Sequence, residues 1–220
     1  MKVFYRCYPG LSSHSNPLGT EKKAIFDECL KSFLSADTEN KVEITFVSDG
    51  VPDDWFDIPA LFHPKIIHPP EHSFTGMKSL YSSLSFTIDE IGKLEDNDKV
   101  LICEDDYLWL PDTLGKLERA LDVMPMISPY DHPGHYTEER FKNQPKKMVL
   151  FENHTFRSAP SNTHTFAAPA WVFKKHGEMI KTMGDHEFFT KVGIDLYVPV
   201  PSFATHCVEG LMAPNVKWIE

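Results

Sequence analysis

The sequence predicts an α/β fold built on a doubly wound, largely parallel sheet. Two observations carry that expectation. Strand-like and helix-like segments alternate through the first half of the 220 residues, the order in which helices cross over between parallel strands. And KVLICE (99–104) is apolar on both faces, as a central strand covered by helices on each side must be.

The elements follow in order. KVFYRC (2–7) reads as the first strand, and a loop rich in Ser, Pro, Gly and Asn runs to residue 19. From Thr20, a candidate cap, residues Phe26, Cys29, Leu30, Phe33 and Leu34 recur at helical spacing. VEITFVSDG (42–50) is a second strand, stopped by the turn signal at Asp49-Gly50, and PKIIHP (64–69) is a short third strand between prolines. A second helix opens at Gly76, with Met77, Leu80, Tyr81, Leu84, Ile88 and Ile91 on one face. PDTLGKLERALDVM (111–124) is a third, with Leu114, Leu117, Leu121 and Met124 on one side. In the less regular second half, MPMISPY and KMVLFEN read as strands, and SNTHTFAAPAWVF passes from strand into helix. A short helix starts near Asp185 and DLYVPVP is the last strand. With no repeat and no Pro/Gly linker, a single domain is expected over 1–220.

The formal net charge is −10. An acidic chain of this kind lacks the basic footprint that nucleic acid or an anionic membrane demands. The N-terminus MKVFYRCYPG is broken by Pro9 and Gly10, and no apolar run reaches the ~18 residues of a membrane span. A soluble, cytoplasmic chain is expected. The four cysteines, Cys7, Cys29, Cys103 and Cys207, sit in separate apolar segments without CxxC spacing, which reads as reduced core residues rather than a zinc or disulfide framework. His63, His68 and His72 lie in a Pro-rich stretch whose spacing fits no zinc pattern.

The stretch VLICEDDYLWL (100–110) concentrates the chemistry. Two carboxylates about 4 Å apart at an effective dielectric near 20 repel by roughly 4 kcal/mol, yet three stand in a row after an apolar strand. Side chains alternate along a strand, so Glu104 and Asp106 are expected on one side and Asp105 on the other. An acid-x-acid pair beyond the carboxyl end of a strand, where α/β sheets bind ligands, suits a hard divalent cation such as Mg²⁺ or Mn²⁺. A solvated acidic loop is the alternative.

The order of features resembles the GT-A fold glycosyltransferases, the family 2-like group in particular. It comprises a strand-loop-helix start, an acid after the second strand in VSDG, a helix near Gly76, then an apolar strand running into EDD. The resemblance spans the chain and implies a Rossmann-like, mostly parallel sheet flanked by helices, with a small antiparallel acceptor-side portion. It implies a nucleotide-sugar half at 1–110 and an acceptor and catalytic half at 111–220. By that resemblance EDD matches the DxD-type motif. Asp106, with His206 of PSFATHCVEG and with Glu104 through water, would hold Mn²⁺ or Mg²⁺ against the two phosphates of a donor, a UDP-sugar above others. Glu104 and Asp105 would alternatively contact ribose or sugar. Tyr8, Pro9 and Asp49 would line the base and ribose pocket, and Lys78 would reach a phosphate. The carboxylate in GDHEFF (184–189) would be the general base, Asp185 matching best and Glu187 the rival, with simple helix capping open for either. A base on the acceptor implies direct displacement with inversion. The acceptor, a glycan, protein or small molecule, is not named by any residue, although the polar stretch 132–157 is where such enzymes meet it.

Tyr107 and Trp109 offer either a sugar platform or core. A sugar-phosphate nucleotidylyltransferase would carry a Gly-rich, Arg-containing loop after the first strand, and YPGLSSHSNPLG is no such loop. A non-catalytic nucleotide-sugar or glycan-binding module of the same fold is the other alternative. A phosphohydrolase would need a second acid cluster for a second metal.

Overall fold

A computed structural model describes residues 1–10, 15–39, 41–56, 58, 64–69, 77–142, 144 and 146–219, with side chains for all of these except 77–82 and 142. The first half follows the alternation that the sequence implies: β1 (Lys2–Cys7), α1 (Lys22–Ser35), β2 (Glu43–Ser48), β3 (Lys65–Ile67), α2 (Met77–Ile91) and β4 (Lys99–Glu104). Then come β5 (Tyr107–Trp109), α3 (Leu114–Ala120), α4 (Gly134–Thr137), α5 (Glu139–Lys142), β6 (Met148–Phe151), β7 (His154–Ala159) and β8 (Phe166–Pro169). The chain closes with α6 (Ala170–Thr182), α7 (Asp185–Lys191), β9 (Leu196–Val200) and β10 (Ala204–His206).

The central sheet runs β3-β2-β1-β4-β8, parallel except for β8, which is antiparallel to β4. Alternation along β1 and β4 feeds two cores. Val3, Tyr5, Cys7, Leu101 and Cys103 face one side with Phe26, Leu30 and Phe33 of α1 and Leu114 and Leu117 of α3. Phe4, Val100 and Ile102 face the other with Leu84, Ile88 and Ile91 of α2 and Val172, Phe173 and Ile180 of α6. Both faces of the sheet are thus sealed, which is why these strands read as unbroken apolar runs.

A second, antiparallel sheet, β6-β7-β9, is formed by the second half of the chain. Residues 126–128 join it to the first. Ile127 exchanges backbone hydrogen bonds with Ala167 of β8, at 2.9 and 2.7 Å, while Met126 and Ser128 bond Tyr197 of β9, each at 2.9 Å. MPMISPY is therefore a sheet junction rather than the strand its composition suggests. A small ribbon pairs β10 with β5.

Several boundaries differ from the sequence reading. The first helix starts at Lys22 with Glu21 at its cap and no side-chain cap bond, so Thr20 is not the cap. The third helix is confined to Leu114–Ala120 and gives way to turns over 121–123, since Pro125 disfavours helical geometry at the residue before it. DLYVPVP is not the last strand, because β10 follows it. The stretch 132–157, expected to be loop-like, holds α4, α5, β6 and part of β7. Gly76, His63 and His72 lie outside the described residues. All four cysteines are buried and free, with Cys29 Sγ 4.0 Å from Cys207 Sγ.

Candidate active site

The three carboxylates after β4 go to three different cations. Glu104 continues the face of Val100 and Ile102 and stands in register with Arg6 of β1. Arg6 Nη1 lies 3.5 Å from its Oε1 and also reaches Ser83 Oγ of α2 at 3.2 Å through Nη2. Asp105 turns toward α1, accepting hydrogen bonds from Lys22 Nζ at 2.8 Å and from the backbone N–H of Tyr8 at 2.9 Å. Asp106 meets His206 of β10, Oδ2 to Nε2 being 3.0 Å. The strand ends at Glu104 and residues 105–106 form a turn, so strand alternation does not run through the motif.

Each charge state follows from its neighbours. Burial pushes the Glu104 carboxyl up; Arg6 opposes this, the charges of Asp106 and Asp185 add to it, and the balance lies above the ordinary value. Asp105 is likewise raised, by burial against the opposing pull of Lys22. Asp106 ends below its ordinary value because the charge and hydrogen bond of His206, with Lys22 behind them, outweigh its burial. Burial lowers His206, but Asp106 more than reverses this and carries it up to about 9. The backbone fixes the pair too, since the Cys207 N–H donates to the Asp106 carbonyl at 2.8 Å. The imidazole lies flat on the Tyr107 ring, 4.9 Å between centroids and 2° between planes. Tyr107 and Trp109 are buried in the core, so neither is an exposed sugar platform.

Segment 161–165, leading into β8, borders this group. Thr165 Oγ1 accepts from the Glu104 N–H at 3.2 Å, and Thr163 Oγ1 lies 2.7 Å from Tyr107 Oη. Between them His164 is buried, with Nδ1 2.6 Å from Asp185 Oδ1. Asp185 is in the first turn of α7, but Gly184 occupies the cap position and no side chain caps the helix. The Asp185 carboxylate is therefore turned to His164 rather than serving as the cap. Glu187 pairs with Lys191 one turn along the same helix.

The remaining predicted residues stand around this centre. Pro9 follows Tyr8 in the bend after β1. Asp49 is buried at the end of β2, its N–H bonded to the Cys7 carbonyl at 3.0 Å, and Gly50 takes the positive φ of +78° that the turn requires. Lys78 is in the first turn of α2, and its side chain lies outside the described residues. Arg6, Lys22, His164 and Thr165 carry site interactions that sequence reasoning did not single out.

Among solved structures, the chain is similar to the galactosyltransferase LgtC in complex with donor and acceptor sugar analogues. Identity is 11%, coverage is 90% of this chain and 73% of that one, and the TM-score is 0.52. An active-site mutant of LgtC matches at 12% identity, 90% and 72% coverage and TM-score 0.52. *S. aureus* TarS 1–349 matches at 14% identity and TM-score 0.50, with 90% of this chain covering 57% of that one. The chain has the GT-A fold. No family model matches the sequence, and no curated protein matches it.

Within this GT-A fold Asp106 and His206 fit a divalent ion in part. Adjacent ligands about 2.1 Å from an octahedral ion stand about 3 Å apart, and Asp106 Oδ2 and His206 Nε2 are 3.0 Å apart. Asp106 Oδ1 is buried and bonded to nothing. Glu104 is already committed to Arg6, and among the described residues no three His, Cys, Asp or Glu side chains form a metal-holding group. Two protein ligands, with the rest from water and phosphate, is the pattern of Mg²⁺ and Mn²⁺ sites rather than of zinc cages. Among the described residues no helix is long and apolar enough to cross a membrane.

In the second half of the chain a cavity of about 300 Å³ opens between α5, the β7 end and α7, its walls including Phe141, Lys146, Arg157 and Thr190. Arg157 is buried there on Asp131, with His135 Nδ1 2.9 Å from its Nη2.

Proposed function

We propose that this chain is a glycosyltransferase that moves a sugar from a nucleotide diphosphate sugar, a UDP-sugar foremost, to an acceptor hydroxyl. The observation that carries the reading is the Asp106–His206 pair, set at the carboxyl end of the central strand of a GT-A fold. Asp106 and His206 would hold Mn²⁺ or Mg²⁺. When bound, such an ion supplies positive charge to the leaving diphosphate.

The chain's own residues would do the rest. Lys22, 2.8 Å from Asp105, brings a cation beside the donor side of the site. Asp105, anchored by Lys22 and Tyr8, would hold the loop after β1 against the ribose. Arg6 fixes Glu104 and so keeps the rim rigid. The Asp185–His164 pair would receive the acceptor proton. With the proton acceptor on the acceptor side, the hydroxyl attacks the anomeric carbon directly and the configuration inverts.

Calorimetric titration of UDP into the full chain, with Mn²⁺ and then with EDTA, tests this. Binding that needs the metal and is abolished in Asp106→Ala is expected. If no nucleoside diphosphate binds with Mn²⁺, the reading is wrong. Metal-dependent binding without turnover of any nucleotide sugar would instead favour a binding module of the same fold.

A further inference from the structure

The Asp185–His164 pair leaves one buried polar atom unexplained. An ionised Asp185 carboxylate is acceptor-only, and with Oδ1 2.6 Å from His164 Nδ1 its charge favours a hydrogen on that nitrogen. The other ring nitrogen, Nε2, is buried and has no hydrogen-bond partner among the described residues. With Nδ1 protonated, a neutral imidazole leaves a bare lone pair at Nε2. A hydrogen there would be a buried donor without an acceptor, which is costly. The arrangement therefore favours one tautomer, with a carboxylate beside one nitrogen and a bare lone pair on the other.

Its surroundings place it at the chemistry. His164 lies between Thr163, bonded to the Tyr107 ring that carries His206, and Thr165, bonded to Glu104. The Asp185 charge is felt at Glu104. Asp185 Oδ1 is the oxygen that faces the imidazole.

We propose that His164 Nε2, not the Asp185 carboxylate, takes the proton of the acceptor hydroxyl, and that Asp185 is the positioning residue behind it. This rests on the glycosyltransferase reading. In the step, the acceptor O–H bond breaks and its proton passes to Nε2, while the oxygen forms a bond to the anomeric carbon. The bond from that carbon to the diphosphate oxygen breaks with its electron pair on the leaving group. Asp185 stabilises the imidazolium so formed.

The test has two arms on the full chain. In the first, histidine is labelled with ¹⁵N, and the His164 signals are assigned by their loss in His164→Asn. Nδ1 protonated and Nε2 bare at neutral pH is expected, and a hydrogen on Nε2 overturns the proposal. In the second, nucleotide-sugar turnover is compared with UDP binding in Mn²⁺ for wild type and His164→Asn. The asparagine amide keeps a donor facing Asp185 and removes the Nε2 lone pair. Unchanged UDP affinity with turnover down about 100-fold or more is expected. Unchanged turnover overturns the proposal and returns the base to Asp185, leaving the glycosyltransferase reading intact. If wild type binds no nucleoside diphosphate, that reading fails and the proposal falls with it. If wild type binds but turns over no donor, the tautomer decides.

Discussion

His206 is clamped between two consecutive residues, Asp106 at its edge, 3.0 Å away, and Tyr107 flat beneath its ring. Tyr107 is fully buried and its hydroxyl contacts Thr163. Tyr107→Phe keeps the ring and strips one hydrogen bond, leaving the Thr163 hydroxyl without this partner. A loss of about 1 kcal/mol in urea unfolding is expected. Tyr107→Leu also removes the platform, and should cost about 3 kcal/mol by the measure of large-to-small core changes while weakening Mn²⁺-dependent UDP binding. Equal UDP affinity in both variants would show that the stacking does not orient His206.

The same pair makes stability depend on pH. His206 is raised to about 9 by Asp106, against an ordinary value near 6.5. A histidine raised on folding contributes stability that is complete below the unfolded value and is lost as pH climbs through the folded one. In EDTA, unfolding free energy should therefore fall between pH 6.5 and 9.5, by at most about 3 kcal/mol. His206→Asn should flatten that slope; a slope that persists would place its origin elsewhere.

Lys22 and Asp105 are both mostly buried, with side-chain exposures of 11% and 8%. Breaking such a pair strands a charge and costs about 3 kcal/mol or more. Lys22→Met should show that loss in thermal or denaturant unfolding. Adding Asp105→Asn should recover part of it, since the amide has no charge left to compensate. An Lys22→Met variant as stable as wild type would mean that water reaches Asp105 freely.

Glycine to alanine inside a helix ordinarily gains about 1 kcal/mol. Gly177 of α6 reverses the sign, because a β-carbon there would stand 2.8 Å from Ile88 Cγ2 of α2, a methyl on a stiff branched side chain. Gly177→Ala should destabilise by about 1–2 kcal/mol. Gly184→Ala, with no described atom within 4 Å of the added carbon, meets no clash and should cost only the roughly 0.5–1 kcal/mol by which glycine is preferred to alanine at a helix N-cap.

The strands of the first half were legible because both sheet faces are buried, so β1 and β4 carry near-unbroken apolar runs. β5 and β10 were not, at three residues each, too short for any period to register. β7 was hidden by its own content, since Arg157 is a buried residue only because Asp131 lies beside it. EDD stood out in the sequence, but its cations did not. Arg6 and Lys22 are 98 and 83 residues from the acids they meet, and a lone lysine or arginine at that distance looks like surface. His164 gave one faint signal, a histidine between two threonines at the start of a strand, and only the fold shows what faces it.

The Asp106–His206 contact spans 100 residues of chain. A nascent polypeptide can complete β1 to β4 and bury Asp105 on Lys22 long before His206 has been synthesised, so the pair becomes available later than the Lys22–Asp105 contact. Until the β10 ribbon docks on β5, Asp106 has neither its imidazole nor the Cys207 N–H that closes the turn. Formation of the pair is thereby tied to synthesis of residues 204–207, and a fragment ending before residue 204 would keep β1 to β4 while lacking half of its candidate metal-binding pair.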